Sequence, residues 1–118
     1  MDDFKILVKI LAAVIACEEH GFSMDYFSEK VIGADEAKRD RFTYKLYKEG
    51  LIDGIVVLDE LNGVYGHPIA WRVSHPEITI KGMEFLRENK SARSAIDNIK
   101  NIAAGAASAA IQAIIAGL

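Results

Sequence analysis

Residues 35–59 read DEAKRDRFTYKLYKEGLIDGIVVLD and predict a helix, a glycine stop and a strand. Asp35 can cap the helix, because its carboxylate can accept a hydrogen bond from a free amide of the first turn. Gly50 can end it, since the left-handed conformation that follows many helices costs glycine nothing. After Gly50 the chain turns to β-branched and other apolar residues, which favour a strand at 51–58.

The helix predicted at 35–50 has two different faces. At about 100° per residue, one side should be buried and carries Phe42, Thr43 and Leu46. The opposite side carries four cations and one aromatic residue: Lys38, Arg41, Tyr44, Lys45 and Lys48. On a recognition helix, such cations contact phosphates or guanine edges, and a tyrosine contacts a sugar or a thymine methyl. The alternative is a solvated face whose cations complement the helix dipole.

Two helices are predicted before this stretch. The first, at 2–19, is apolar around most of its circumference, so it should be covered on more than one side. Ser23 is a good cap for a second helix at 24–32, which Gly33 closes. Two short helices joined by a glycine-containing turn are typical of a helix-turn-helix.

A hairpin is predicted after the strand. Residues 59–77 are rich in Gly, Asn, Pro and His, and the Asn-Gly pair at 62–63 favours a hairpin tip. The return strand is expected at 69–73, where Trp71 is predicted to be a core residue. A further short extended piece is expected at 77–80.

The C-terminal part predicts two more helices. Thr79 can cap the first, which runs to about residue 89. The second, at 92–116, is rich in alanine and has no charge after Lys100. Small residues recur on it at every fourth position: Gly105, Ala109, Ala113 and Gly117. Such a face lets two helices approach closely, so the tail is expected to pack on the first helix, within the chain or across a homodimer.

The order of these elements is that of a winged helix, an α+β fold with a helix-turn-helix and a small antiparallel β-hairpin wing. The segments KLYKEGLIDGI (45–55) and ITIKGMEFLREN (78–89) resemble the YjcQ-like family of small bacterial and prophage proteins. The resemblance implies a winged-helix domain at 1–90, of the kind often found in DNA-binding regulators. An additional C-terminal helix at 91–118 would serve packing or dimerisation. The motifs that carry the resemblance specify a fold and not a chemistry.

The charge balance limits the functional classes. The chain has 118 residues, the length of one domain, and its net charge of −3 gives no overall attraction to nucleic acid. Any basic surface must therefore be local. Between Asp59 and His75 the only full positive charge is Arg72, and Asp59 and Glu60 would repel phosphate. The charge of the predicted wing therefore argues against DNA binding.

No catalytic or metal site is predicted. Cys17 is the only cysteine, which suits a reducing cytoplasm, and it lies in an apolar helical run where a buried, inert thiol is expected. The histidines share no metal-ligand spacing: His20, His67 and His75. Acidic residues occur as scattered surface charges, and no nucleophile motif or phosphate loop is present. Neither a cofactor nor a small-molecule substrate is expected.

A membrane role is not expected either. The N-terminus lacks the positive charge of a signal peptide. The uncharged tail of 18 residues is marginal for a span, since most of its side chains are small.

Two functions remain. The leading hypothesis is sequence-dependent binding of double-stranded DNA by a small, non-catalytic regulator, a homodimer through its first and last helices. The alternative is a protein-protein interaction module that keeps the winged-helix fold without binding nucleic acid. The basic helix favours the first, and the acidic wing favours the second.

Overall fold

The computed structural model describes residues 3–58, 69–89, 93, 97, 99, 100 and 107–117. Within these residues the protein is α+β, with five α-helices and a two-stranded antiparallel sheet. The helices are α1 Asp3–His20, α2 Glu29–Ile32, α3 Glu36–Lys48, α4 Ile80–Arg87 and α5 Ala107–Gly117. The strands are β1 Ile52–Asp53 and β2 Glu77–Ile78, and short 3-10 turns lie at Met24–Phe27 and Trp71–Val73. This architecture is compatible with a helix-turn-helix followed by a wing.

Helix α1 is the centre of the core. Every residue from Ile10 to Cys17 is buried, so more than two helical turns are covered on all sides. The described elements that cover it include α2, α3, α5, β2 and the 3-10 turn at Met24–Phe27. The expectation that this helix is covered on more than one side is therefore confirmed.

The helix predicted at 24–32 is divided into two pieces. The Ser23 hydroxyl caps the 3-10 turn, as expected, by accepting a hydrogen bond from an amide of that turn. Ser28 then has an extended backbone, with φ −66° and ψ 157°, and its own hydroxyl caps α2. The prediction of one helix is wrong at Ser28, because a serine side chain that bonds to the backbone competes with helix continuation.

Helix α3 has the predicted ends. The Asp35 carboxylate accepts a hydrogen bond from the Lys38 amide at 2.8 Å. Gly50 follows the helix with φ 80°, and the Leu51 amide donates to the carbonyl of Leu46 at 3.0 Å. This closure by a left-handed glycine satisfies carbonyls that the end of the helix would otherwise leave without a partner.

The sheet is smaller than predicted. The strand expected at 51–58 is reduced to β1, which pairs with β2 so that Ile52 lies opposite Ile78. Gly54 has φ 75°, and a Cβ there would lie only 2.0 Å from the carbonyl oxygen of His75. A regular strand cannot continue through this left-handed residue.

The return strand expected at 69–73 is wrong apart from its first residue. Ile69 forms an isolated bridge with Val57, and the chain then makes the 3-10 turn at Trp71–Val73. The Ser74 hydroxyl closes this turn. It donates to the carbonyl of Ala70, just before the turn, and accepts a hydrogen bond from the amide of Val56. A side chain thus takes the place of ladder hydrogen bonds. The strand that pairs with β1 comes later, at the start of the piece expected at 77–80.

Helices α4 and α5 complete the core. Thr79 caps α4 as predicted, its hydroxyl accepting a hydrogen bond from the Gly82 amide at 3.0 Å. A Cβ at Gly82 would lie 2.2 Å from the carbonyl oxygen of Leu51, so α4 meets the residue just before β1 with no room for a side chain. Helix α5 packs against α1 and α2 and fully buries Ala110 and Ile114. The tail therefore packs on the first helix within the same chain.

Several predictions lie outside the described residues. These are the hairpin tip at 62–63, the acidic residues at 59–60, and much of the first half of the predicted tail helix, including Gly105. In the part of the chain that the structure describes, no helix is both long enough and apolar enough to cross a membrane.

Candidate nucleic-acid interface

The outward face of α3 is basic. The residues predicted to be buried are buried, namely Phe42, Thr43 and Leu46. On the opposite side, three cations are exposed, namely Arg41, Lys45 and Lys48. The remaining two members of the predicted set, Lys38 and Tyr44, are half-buried. The assignment of the two helix faces is confirmed, while their role stays a prediction.

Three of the cations gather around one aromatic ring. The Nζ of Lys38, the Cζ of Arg41 and the Nζ of Lys45 lie 5.5, 5.8 and 5.3 Å from the centre of the Phe42 ring. Each such cation–π contact is worth about 0.5–1 kcal/mol at an exposed site. The ring therefore helps to hold three positive charges together at the surface.

The charge of this face is largely uncompensated. The Nζ of Lys38 lies 3.1 Å from the Asp3 carboxylate of α1, a solvent-screened pair. Arg41, Lys45 and Lys48 form no ion pair with any described carboxylate. Positive potential at a surface attracts anions, and DNA backbone phosphates are the anions that a helix face can contact in series.

Behind this face lies a buried ion pair that the sequence did not predict. The Nε of Arg39 donates to Oδ1 of Asp40 at 2.8 Å, and the two side chains are 8% and 3% exposed. The Nε1 of Trp71 donates to the same oxygen, also at 2.8 Å. The Arg39 guanidinium lies 5.3 Å from the Trp71 ring and donates to the carbonyl of Phe27 at 3.2 Å. The pair thus connects α3 to both 3-10 turns.

The description of acidic residues as scattered surface charges is wrong at Asp40. Its carboxylate is buried because it accepts hydrogen bonds from an arginine and a tryptophan, which compensate for lost water. For Arg39 the sequence did hold a signal: its spacing of four and seven residues from Thr43 and Leu46 places it on the buried side of α3. Nothing local predicts Trp71 as the partner, since it is 31 residues away from Asp40.

Comparison with known proteins identifies the family. The family described as YjcQ protein matches residues 4–104. The chain belongs to the YjcQ family. The match includes α1 to α4 and both strands, whereas α5 lies beyond it. No curated protein and no solved structure matches the chain.

In this YjcQ-family chain, Cys17 is buried and His20 makes a hydrogen-bond contact within the fold. Burial raises the pKa of the Cys17 thiol to about 11, so it stays protonated at neutral pH, as the inert thiol expected there. The Nε2 of His20 lies 3.0 Å from the carbonyl oxygen of Ile99. His75 borders β2, and His67 lies outside the described residues. No group of three His, Cys, Asp or Glu side chains in the described ranges could hold a metal ion.

A mostly apolar cleft of about 280 Å³ lies beside the basic face, between α1, α3 and α4. Its apolar lining consists of Leu7, Phe42, Leu46, Leu51 and Phe85. Three charged side chains also line it: Asp3, Lys45 and Glu49. Phe4, which is 42% exposed, packs against Phe85 with ring centres 5.8 Å apart. The cleft and Phe4 thus form an apolar surface next to the basic face of α3.

Proposed function

We propose that this YjcQ-family member is a winged-helix protein that binds double-stranded DNA in a sequence-dependent manner, as a small non-catalytic regulator. The observation that carries the proposal is the outward face of α3, where Arg41, Lys45 and Lys48 are exposed and form no ion pair with a described carboxylate. In this proposal α3 enters the major groove, and the segment between β1 and β2 is the wing.

The residues of this face have different roles. Lys38 and Lys48 lie at the two ends of the face and would contact phosphates, which fix the register of the helix on the duplex. Arg41 and Tyr44 lie between them and would contact base edges, since arginine recognises guanine through two hydrogen bonds. Lys45 is exposed between these two groups and would add a phosphate contact.

The buried network behind the face supports this assignment. Arg39 and Asp40 join α3 to Trp71, a residue of the segment proposed as the wing. A helix held from behind loses little conformational freedom when it binds, and preorganisation of this kind favours affinity.

We also propose that the chain acts as a homodimer. A face with four cations on a chain of net charge −3 would bind weakly alone, whereas two copies would contact two half-sites. The outer side of α5 supports this idea, because Ala109 is exposed and Ala113 half-buried, while the neighbouring Ala110 faces the core. The single buried thiol of Cys17 suits a reducing, cytoplasmic location.

The salt dependence of binding tests the DNA proposal. Affinity for random and genomic duplexes is measured as salt is raised. With the four cations of this face close to the phosphates, log affinity should fall against log salt with a slope near −3 to −4 per subunit. Lys38→Gln and Lys48→Gln should each reduce this slope by about one. The matched control is Lys5→Gln, which removes an exposed cation of α1 and should leave the slope unchanged.

Base preference is tested separately. Arg41→Gln should cost about 1–3 kcal/mol of discrimination at one base pair, because it removes a bidentate contact, and a selection from random duplexes would show the relaxed position. No binding tighter than about 10⁻⁴ M at low salt would contradict the whole proposal, since even non-specific binders are usually tighter.

The second candidate is a protein-interaction module. The cleft of about 280 Å³ and the exposed Phe4 beside it favour this function, because an apolar pocket next to cations suits an apolar anchor on an acidic partner. Phe4→Ser distinguishes the two functions. It should leave DNA affinity unchanged if α3 binds DNA, and it should weaken partner binding if the cleft is the site.

A further inference from the structure

A second group of cations lines a separate cavity. This cavity has a volume of about 160 Å³ and lies between α4 and the helical residues that follow it. The described side chains that line it are Met83, Leu86, Arg87, Arg93, Asp97 and Lys100. None of them belongs to α3, so the cavity is distinct from the proposed DNA-binding face.

The spacing of the charged residues explains why they meet. Arg93, Asp97 and Lys100 are all helical and follow one another at four and three residues, which places them on one helix face. The Arg93 amide donates to the carbonyl of Asn89 at 3.0 Å, so this face begins just after α4 ends. This face lies against α4, since both line the cavity.

Helix α4 supplies the other side of the cavity. Met83, Leu86 and Arg87 are spaced at three and four residues and share one face of α4. Leu86 is buried and Met83 half-buried, whereas Arg87 is exposed. The cavity therefore combines apolar surface with charges that remain accessible to solvent.

Among the described residues, positive charge prevails in the cavity. The three cations and one carboxylate described there give a net charge of +2 (3 − 1). Arg87, Arg93 and Lys100 form no ion pair with a described residue, even though Asp97 lies one helical turn from two of them. Charges of one sign in a concavity with apolar walls concentrate the potential and attract an ion of the opposite sign.

We propose that this cavity binds a phosphate group. Two guanidinium groups can each donate two parallel hydrogen bonds to phosphate oxygens, and Lys100 adds a point charge. The volume is smaller than the roughly 300 Å³ of pockets that enclose a whole small-molecule ligand, so it suits a phosphate and the group next to it. Met83 and Leu86 offer apolar surface to that neighbouring group. The phosphate belongs either to a nucleic-acid backbone or to a free phosphate compound.

Titration of the full-length chain with inorganic phosphate tests the site. Side-chain Nε–H signals of Arg87 and Arg93 are followed by NMR, with chloride used to hold the ionic strength constant. These signals should shift and saturate. Arg93→Gln should weaken binding about tenfold, the loss typical of one charged hydrogen-bond partner. Asp97→Asn should strengthen it about fivefold, because it removes a negative charge beside the phosphate.

The opposite signs of these two variants separate a binding role from a structural one. Both residues are exposed, so both variants should fold, and Lys5→Gln is the matched control that should not alter phosphate affinity. The proposal is overturned if the chemical shifts of the two arginine signals do not saturate by about 0.1 M phosphate, because weaker binding than this is close to none on the 1 M standard state. It is also overturned if Arg93→Gln and the wild type bind phosphate equally.

Short duplex DNA distinguishes the two sources of the phosphate. If a backbone supplies it, Arg93→Gln should reduce the salt slope of duplex binding by about one, in addition to the effect of Lys38→Gln. If a free compound supplies it, Arg93→Gln should change phosphate affinity and leave duplex binding unaltered. Either of these two results supports a phosphate site in the cavity. If phosphate binding saturates but duplex DNA does not bind, only the DNA proposal fails. If duplex DNA binds but phosphate binding does not saturate, only the cavity proposal fails.

Discussion

Three consecutive charged residues of α3 have three different surroundings. Arg39 is buried against a tryptophan ring, Asp40 is buried as its ion-pair partner, and Arg41 is exposed. Helical rotation of about 100° per residue separates the first from the third. The partners available on each side then decide whether a charge can be buried, because an unpaired buried charge is costly.

The buried pair leads to a prediction about stability. Arg39→Met should lower the free energy of unfolding by about 3–5 kcal/mol, because Asp40 then lacks its counter-charge. The double variant Arg39→Met/Asp40→Leu should be more stable than Arg39→Met alone, since no buried carboxylate remains without a counter-charge. Urea denaturation of the wild type, the single variant and the double variant measures their free energies of unfolding. A double variant less stable than the single one would show that Asp40 is satisfied without the arginine.

The two faces of α3 give a second prediction. Leu46→Ala should cost roughly 2–5 kcal/mol, because it leaves a cavity beneath the helix. Lys45→Ala, one residue away and exposed, should change stability by less than about 0.5 kcal/mol. Thermal unfolding of both variants compares the two positions, and equal losses would mean that the faces are assigned wrongly.

The buried thiol predicts a pH dependence. Burial raises the pKa of Cys17 from 9.0 to about 11, so the folded state keeps its proton where the unfolded chain loses it. Stability from this group is therefore complete below about pH 8.5 and is lost as the pH rises towards 11. Between pH 7 and pH 10 the wild type should lose about 1–2 kcal/mol more than Cys17→Ala. Parallel pH profiles of the two chains would contradict this.

At the scale of elements, the packing of α4 on β1 depends on Gly82. Alanine normally favours a helix over glycine by about 1 kcal/mol. Here a new Cβ would lie 2.2 Å from the Leu51 oxygen and 2.7 Å from a side-chain carbon of Ile78. Gly82→Ala should therefore destabilise the protein by about 1–3 kcal/mol, as overpacking does.

The control for this prediction is Glu84→Ala on the same helix. Glu84 is exposed, so its replacement should stay within about 0.5 kcal/mol of the wild type. Chemical denaturation compares the two variants. A Gly82→Ala chain as stable as the wild type would mean that α4 can move away from β1 at little cost.

Element ends and helix faces could be predicted because their causes are local. Asp35, Gly50 and Thr79 act on amides and carbonyls within a few residues, and the burial of Leu46 follows from helical spacing. The positions of β1 and β2 fall within predicted extended stretches, but the lengths of the strands could not be predicted, since they depend on contacts between distant segments, such as the one at Gly54. The same holds for the sites. The cations of α3 share one helix face, whereas the contact between the buried pair and Trp71 forms only after segments distant in the sequence pack.

At the scale of the whole molecule, α5 closes the core over α1 and α2. Two neighbouring alanines of α5 test this closure, because Ala110 is fully buried and Ala109 is exposed. Ala110→Leu should cost about 1–3 kcal/mol through overpacking, whereas Ala109→Leu should leave monomer stability nearly unchanged. Thermal unfolding measures both.

The same pair tests the proposed homodimer. If two copies meet through the outer side of α5, Ala109→Leu should lower the molar mass seen by light scattering, because leucine prevents the close approach that small residues allow. Ala110→Leu is then the control for general loss of packing. A wild-type chain with the mass of one copy at all concentrations would contradict the dimer.

The position of Trp71 makes the molecule its own optical reporter. It is the only tryptophan in the chain, and its ring lies against Arg39 and, with centres 4.7 Å apart, against Phe27. Tryptophan fluorescence therefore comes from a single side chain, which lies at the contact between α3 and the turn after residues 59–68. Opening of this contact would shift the emission to longer wavelengths, so its opening and closing could be timed in stopped-flow experiments without a label.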